Sequence, residues 1–226
     1  MTSRKLAIFD WNGTLIADTR IAWVASLDCL KFYGAPPITY KQQLETFDFP
    51  IIHYYERNGI DVDKVMATKT EANEIFQNAY DRLSAAARTR RGTRTLLDWL
   101  TAEDVNCIIL SNYLEDKINA HLDRLKIRHY FSYISANTCD GTTILNSTSK
   151  LERLSSYMEA HDYSPQDAFI IGDSKEEPEI GRKLDITSIG ITGGCINAKR
   201  LRAAKPDHVI TALPETIGIL KEKWGL

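Results

Sequence analysis

Leu6-Ala7-Ile8-Phe9 is an unbroken apolar run that stops on a carboxylate, Asp10, and then turns through Asn12-Gly13. A short apolar run bounded by turn residues reads as a buried strand. Asp10 then sits at the carboxyl end of that strand, the edge where open α/β sheets bind their ligands. One short segment thus predicts both a sheet and the position of a site on it.

The pattern recurs. Cys107-Ile108-Ile109-Leu110 runs into Ser111-Asn112, and Ala168-Phe169-Ile170-Ile171 runs into Gly172-Asp173. Phe131–Ser135 is a weaker strand, and Thr187–Ile191 and His208–Ile210 complete the set. Helical patterns separate these runs. Such alternation predicts βαβ units and a Rossmann-like parallel sheet. The polar residues just past the strands are expected to converge at one edge.

The stretch from Asp18 to Thr89 breaks the rhythm and holds no convincing strand. Ile21, Val24, Ala25, Cys29 and Phe32 form a helical stripe that stops near Gly34. Ile75, Phe76, Ala79, Tyr80 and Leu83 form a second stripe within Glu71–Arg88. The expectation is an α/β core from residues 1–16 and 90–226 with a helical module, 17–89, inserted between its first two strands. Within the module, His53, Tyr54, Tyr55 and Arg57 read as packing and surface residues, and Trp11 as a core residue.

Composition narrows the function classes. A hydrophobic content of 43% with 26% charged residues is that of a water-soluble globular chain. The net charge of −2 offers no basic field for nucleic acid. Arg88, Arg90 and Arg91 are local and read as a solvated helix end. No apolar run is long enough to span a membrane, and the chain enters its first strand too early for a signal peptide. Cys29, Cys107, Cys139 and Cys195 are widely spaced, as expected of free thiols in the cytoplasm rather than a disulfide or zinc framework.

The strand ends carry the parts needed for phosphoryl transfer. Asp10 is a candidate nucleophile able to form an aspartyl-phosphate. Asp173 brings a second hard oxygen ligand, a donor set that suits Mg²⁺ beside a phosphate. Ser111 and Asn112 offer polar groups for phosphate oxygens, and Lys150 offers a positive charge for the developing negative one.

In this order the residues resemble the four motifs of the haloacid dehalogenase (HAD) superfamily. Asp10-Trp11-Asn12-Gly13-Thr14-Leu15 is similar to its Asp-x-Asp-Gly-Thr-Leu/Val nucleophile motif. Ser111 matches the second motif and Lys150 the third. Gly172-Asp173-Ser174-Lys175-Glu176-Glu177 resembles the fourth, with Glu177 replacing an aspartate. The resemblance covers nearly the whole chain and points to the phosphoglycolate phosphatase-like branch, with residues 17–89 as a helical cap. It implies a Mg²⁺-dependent hydrolase acting on a small phosphorylated metabolite. The metal would be held by Asp10, the Asn12 carbonyl and Asp173, with Ser174 and Glu177 behind it.

One position departs from the pattern. The family's second aspartate, which protonates the leaving oxygen and later activates water, is Asn12. An amide keeps the backbone carbonyl but has no useful pKa near neutrality. Loss of general acid–base catalysis typically costs about 10²–10⁴-fold. The expectation is a slow phosphatase that favours good leaving groups. The alternatives are a low-turnover binding protein with this fold and a dehalogenase- or phosphonatase-like branch. The last needs a cap lysine, and none of Lys31, Lys41, Lys64 and Lys69 stands out.

Overall fold

In the computed structural model, which describes residues 4–138 and 149–225, six parallel strands form one sheet. They are β1 (Leu6–Phe9), β2 (Asn106–Leu114), β3 (Phe131–Asn137), β4 (Ala168–Gly172), β5 (Thr187–Ile191) and β6 (His208–Ile210), in the order β3-β2-β1-β4-β5-β6. All six lie where the apolar runs predict them. β2 is longer than expected: it continues through Ser111 and Asn112, with a shift in pairing register between Leu110 and Leu114.

β1 is central and fully buried, which explains why its sequence is apolar without alternation. Its residues still divide by face. Ala7 and Phe9 join Ile109, Phe169 and Ile171 in one core cluster, beneath α5 (Thr93–Ala102), α6 (Glu115–Leu125) and α10 (Glu215–Trp224). Leu6 and Ile8 join Ile108, Ile170, Leu154 and Met158 in the other, beneath α7 (Lys150–Ala160) and α8 (Glu176–Leu184). Each such buried side chain contributes roughly 1.5–3 kcal/mol. This double cover fixes β1 and, with it, the backbone that presents Asp10.

β1 pairs with β2 on one side and β4 on the other. The strand order therefore reverses at β1, and the carboxyl ends of β1 and β4 flank the crevice where such sheets bind ligands. The backbone N–H of Asp10 donates to the Ile171 carbonyl at 2.9 Å and carries the pairing one residue past the strand.

Between β1 and α5 lie four helices: α1 (Thr19–Phe32), α2 (Tyr40–Thr46), α3 (Ile52–Arg57) and α4 (Val62–Ser84). They hold an apolar cluster of their own around Cys29, Leu30, Tyr33, Tyr54, Tyr55 and Val65. α4 starts earlier than its predicted stripe because Asp61 caps it, accepting from the Lys64 N–H at 3.0 Å. α9 (Ala198–Ala203) packs at the β5–β6 side. Among the described residues no helix is long and apolar enough to cross a membrane.

Candidate active site

Asp10 follows β1, and its carboxylate meets a lysine from the far side of the chain. Lys150 Nζ lies 2.8 Å from Asp10 Oδ1 and 2.9 Å from Glu177 Oε1, with the three groups almost wholly buried. Lys150 is the first residue of α7, held there by a capping box in which Ser149 and Glu152 exchange hydrogen bonds. The cap fixes the backbone from which the long side chain reaches inward. Asp10 Oδ2 receives no hydrogen bond among the described residues, so one oxygen is pinned and the other is free.

Asp173 follows β4 in the same crevice. Its Oδ2 accepts the Cys195 backbone N–H at 2.5 Å. The carboxylate lies against two glycines: a Cβ at Gly13 or at Gly194 would collide with Asp173 Oδ2. Gly13 also has a φ of +72°, in the left-handed region that disfavours side chains. The Asn12-Gly13 turn is thus required twice, for its backbone shape and for room beside Asp173.

The electrostatics are one-sided. Asp10, Asp173 and Glu177 are buried around a single lysine, with the partly exposed Glu176 3.4 Å from its Nζ. Burial raises the Asp10 carboxyl well above the usual carboxylate range. Lys150 opposes this, while Glu177 and Asp173 reinforce it. Burial likewise raises Asp173, and Glu177 adds to it. Burial would depress the Lys150 ammonium, but Asp10 and Glu177 reverse that and hold it well above its ordinary value. Glu177 is buried too, yet Lys150 and Ser174 keep its carboxyl below the normal value.

Ser111 is buried near the end of β2. Its Oγ accepts the Tyr113 N–H at 3.1 Å, which leaves the hydroxyl proton free to be donated. The Asn112 side chain is engaged: its amide donates to Glu176 Oε2 at 3.0 Å, and its carbonyl takes a long 3.5 Å contact from Arg153. Ser174 Oγ donates to Glu177 Oε2 at 2.7 Å, so Glu177 bridges Ser174 and Lys150 directly.

Asn12 is held from behind. Its Nδ2 donates to Asp18 Oδ2 at 2.7 Å and to the Tyr80 hydroxyl at 2.9 Å. The Tyr80 hydroxyl donates to the same Asp18 oxygen, and the Gly13 N–H donates to Asp18 Oδ1 at 2.7 Å. Both amide protons of Asn12 are therefore used, and the side-chain oxygen is left as an acceptor. Burial raises the Asp18 carboxyl above its usual range despite these donors.

Several of these residues lie outside the sequence-level expectation. Asp18 stands directly before α1, where an aspartate ordinarily caps a helix, but its side chain makes no cap bond and serves Asn12 and Gly13 instead. Tyr80 was legible only as a core residue of a stripe. Arg90 is not part of a solvated helix end: it donates to the Gly13 carbonyl at 2.5 Å and the Thr192 carbonyl at 2.6 Å. Its neighbours Arg88 and Arg91 are exposed as expected. Trp11 is fully buried, Tyr54 and Tyr55 are buried, and Arg57 is bound to Asp48. Cys29, Cys107 and Cys195 are free thiols, and Cys139 lies outside the described residues.

With this geometry in view, comparison with known proteins is decisive at the family level. The family model described as haloacid dehalogenase-like hydrolase matches residues 7–191. The chain belongs to that family. A phosphoglycolate phosphatase of Pseudomonas putida is 26% identical over 219 residues, covering 94% of this chain and 78% of the relative. A phosphoglycolate phosphatase of Synechococcus elongatus is 29% identical over 206 residues, covering 90% of this chain and 91% of the relative. Among solved structures, a haloacid dehalogenase-like hydrolase of Streptococcus pneumoniae superposes with a TM-score of 0.79 at 21% identity, covering 97% of this chain and all of that one. The α/β fold read from the strand pattern is the fold of this HAD-like hydrolase.

Proposed function

We propose that the protein is a phosphatase of small phosphorylated metabolites, working through an aspartyl-phosphate on Asp10. The observation that carries this is the contact of Lys150 Nζ with Asp10 Oδ1 at 2.8 Å. It leaves Oδ2 as the attacking atom and places a cation beside the bond being made.

In the first step Asp10 Oδ2 attacks phosphorus, the bond to the leaving oxygen breaks, and the phosphoryl group is carried on Asp10. The Ser111 hydroxyl donates to a phosphate oxygen, and Lys150 offsets the charge gathered there. In the second step water attacks phosphorus, frees the carboxylate and yields inorganic phosphate. Asn112 and Glu177 act as positioning residues, the first on Glu176 and the second on Lys150.

Mg²⁺ fits the donor chemistry. Among the described residues no three His, Cys, Asp or Glu side chains form a metal cage by themselves. Two carboxylates, Asp10 and Asp173, with the Asn12 carbonyl are the smaller set Mg²⁺ ordinarily takes, completed by water and substrate oxygens. Burial raises the Asp10 and Asp173 carboxyls, with Glu177 adding to both, and a divalent cation would offset the negative charge of their ionised forms. When bound, the ion would screen that charge against the incoming phosphate.

Asn12 sets the limit on this chemistry. Its amide protons are committed to Asp18 and Tyr80, so it neither donates to the leaving oxygen nor deprotonates water. Substrates whose leaving group needs no proton, such as acyl phosphates and phosphoanhydrides, suffer least. Residues 17–89 serve as the cap over this site, in a protein acting in the cytoplasm. The test is hydrolysis of p-nitrophenyl phosphate with and without Mg²⁺, beside an Asp10→Asn control. The committed Asn12 amide also favours a second reading, a binder of phosphorylated ligands with little turnover. Absence of phosphate release from this substrate would select it.

A further inference from the structure

Asn12 leaves the site without its proton donor, so a leaving group that departs well as an anion is favoured. The acidity of the departing hydroxyl then sets the difficulty. An aliphatic alcohol is about as weak an acid as water, at about 15.7, whereas a phenol ionises at about 10. An aryl ester therefore asks far less of this site than an alkyl ester does. The rim of the crevice carries a surface that suits such a ring.

Tyr40 opens α2, its backbone set by Thr39, whose side chain accepts the Gln42 N–H at 3.2 Å in a capping box. The Tyr40 ring is half-buried and stands 5.5 Å from that of Trp23 on α1. Trp23 is itself anchored, its indole N–H donating to the Ile38 carbonyl at 3.1 Å. The Arg20 guanidinium lies 4.6 Å from the centre of the Tyr40 ring. Arg20 is exposed and makes no hydrogen bond or ion pair among the described residues. A planar guanidinium with one side on a ring offers its other side to a second ring.

The shelf lies on the side of the nucleophile turn. Thr19, next to Arg20, has its hydroxyl 3.4 Å from where a Cβ at Gly13 would stand, and that same position lies against Asp173 Oδ2. α2 also docks on the loop that holds Asp173. The Asn197 N–H, two residues after Cys195, donates at 3.1 Å to the carbonyl of Leu44, one helical turn after Tyr40. The charges that act on the Tyr40 hydroxyl agree with this placement. Burial raises it above its ordinary value and Arg20 opposes this. Asp173 and Cys195 then raise it further, and Arg90, which donates to the Gly13 carbonyl, opposes them.

We propose that this phosphatase takes aryl phosphates, with the ring of the leaving group stacked on the shelf formed by Arg20 and Tyr40. The inference rests on the phosphatase reading. In the step it implies, Asp10 Oδ2 bonds to phosphorus and the bond from phosphorus to the aryl oxygen breaks. Both electrons of that bond leave on the phenolate, which takes its proton from solvent. No group of the protein gives up a proton. Two separate features select this class: acyl phosphates suit Asn12 but leave the shelf empty, and simple alkyl esters suit neither.

The test compares phenylphosphonate with methylphosphonate by calorimetry, on the full chain with Mg²⁺, in wild type, Tyr40→Leu, Tyr40→Phe and Arg20→Lys. Neither phosphonate has an ester bond to break, so binding is read without turnover. Wild type should favour the phenyl compound. Tyr40→Leu and Arg20→Lys should each cut that preference about fivefold, the scale of a stacked aromatic or cation–π pair beyond the area it buries. Tyr40→Phe keeps the ring and should bind as wild type does. Arg20→Lys keeps the charge and changes an exposed side chain, so it reports on a folded protein even if Tyr40→Leu unfolds. The kcat/KM ratio for phenyl phosphate over acetyl phosphate should fall in step with the binding preference. Release of phosphate from neither ester would end the phosphatase reading, while the phosphonate preference still decides the shelf. A preference absent from wild type, or unchanged in Arg20→Lys or in a folded Tyr40→Leu, would overturn the shelf as a ring site.

Discussion

Asn12 Nδ2 lies 2.7 Å from Asp18 Oδ2, so the residue that departs from the family pattern is tied to a buried carboxylate six positions later. A carboxylate at position 12 would face Asp18 across the same gap, and two carboxylates that close do not both ionise. Amide and carboxylate are matched here: the amide supplies the donor that Asp18 needs. Tyr80 adds a second donor from α4 and ties the helical insert to the nucleophile turn.

Asp10→Asn should abolish phosphate release while leaving the fold intact. Asp10 is the carboxylate at the end of β1 and the partner of Lys150. A verified homogeneous variant retaining more than a few per cent of wild-type activity would refute covalent catalysis at this residue. Circular dichroism melts should show a folded protein.

Gly13→Ala tests the crowding beside Asp173. The left-handed backbone costs a side chain about 1–2 kcal/mol. The new Cβ would also displace the Asp173 carboxylate. The expected result is a lower Tm together with loss of metal-dependent turnover. Wild-type kinetics in this variant would mean that Asp173 need not stay where it is.

Asp48→Asn should lower the Tm at neutral pH by an amount that depends on pH. Burial favours the neutral acid, but Lys175 and Arg57 overcome it and hold the carboxyl below its usual range. A depressed carboxyl stabilises the folded state above its unfolded pKa, and the contribution is lost as pH falls through the folded value. The Tm gap between wild type and variant should therefore close as the solution is acidified below about pH 4, the unfolded value. A gap unchanged from pH 7 into that range would mean that the ion pairs contribute nothing.

Much of this was legible in the sequence because strands buried on both faces leave a period-independent apolar signature. Leu6–Phe9 and Ala168–Ile171 could be read, and so could the carboxylates that follow them. Ser111 was legible as a residue close behind an apolar run. What was not legible depends on contacts across the chain. Arg90 looked like one of three solvated arginines, because nothing local says that it reaches Gly13 and Thr192. Asp18 carried a helix-cap signal that it does not obey, since the Gly13 N–H and the Asn12 amide compete for its oxygens. Tyr80 is apolar by pattern and polar by use, and only packing of α4 against the β1 turn reveals the second.

Asn12→Asp is the sharpest test of the proposed chemistry. If a missing proton donor limits the rate, the variant should hydrolyse alkyl phosphates on the order of 10²-fold faster, because their leaving oxygen must be protonated. p-Nitrophenyl phosphate should gain less if ester cleavage is limiting, and as much if hydrolysis of the aspartyl-phosphate is limiting. The structure adds a second expectation. With Asp18 at 2.7 Å, the new carboxyl and Asp18 must share a proton, so the single variant should lose stability as pH rises. The exchange Asn12→Asp with Asp18→Asn puts one amide and one acid back in the pair and should recover that stability. It should also keep an acid at position 12. Peptide mass spectrometry of the wild type must accompany the assay, since deamidation at Asn12-Gly13 makes the same aspartate. If neither variant is faster on any substrate, the proton donor is not what limits turnover. Phosphate release by the wild type would then decide between the phosphatase and the ligand-binding reading.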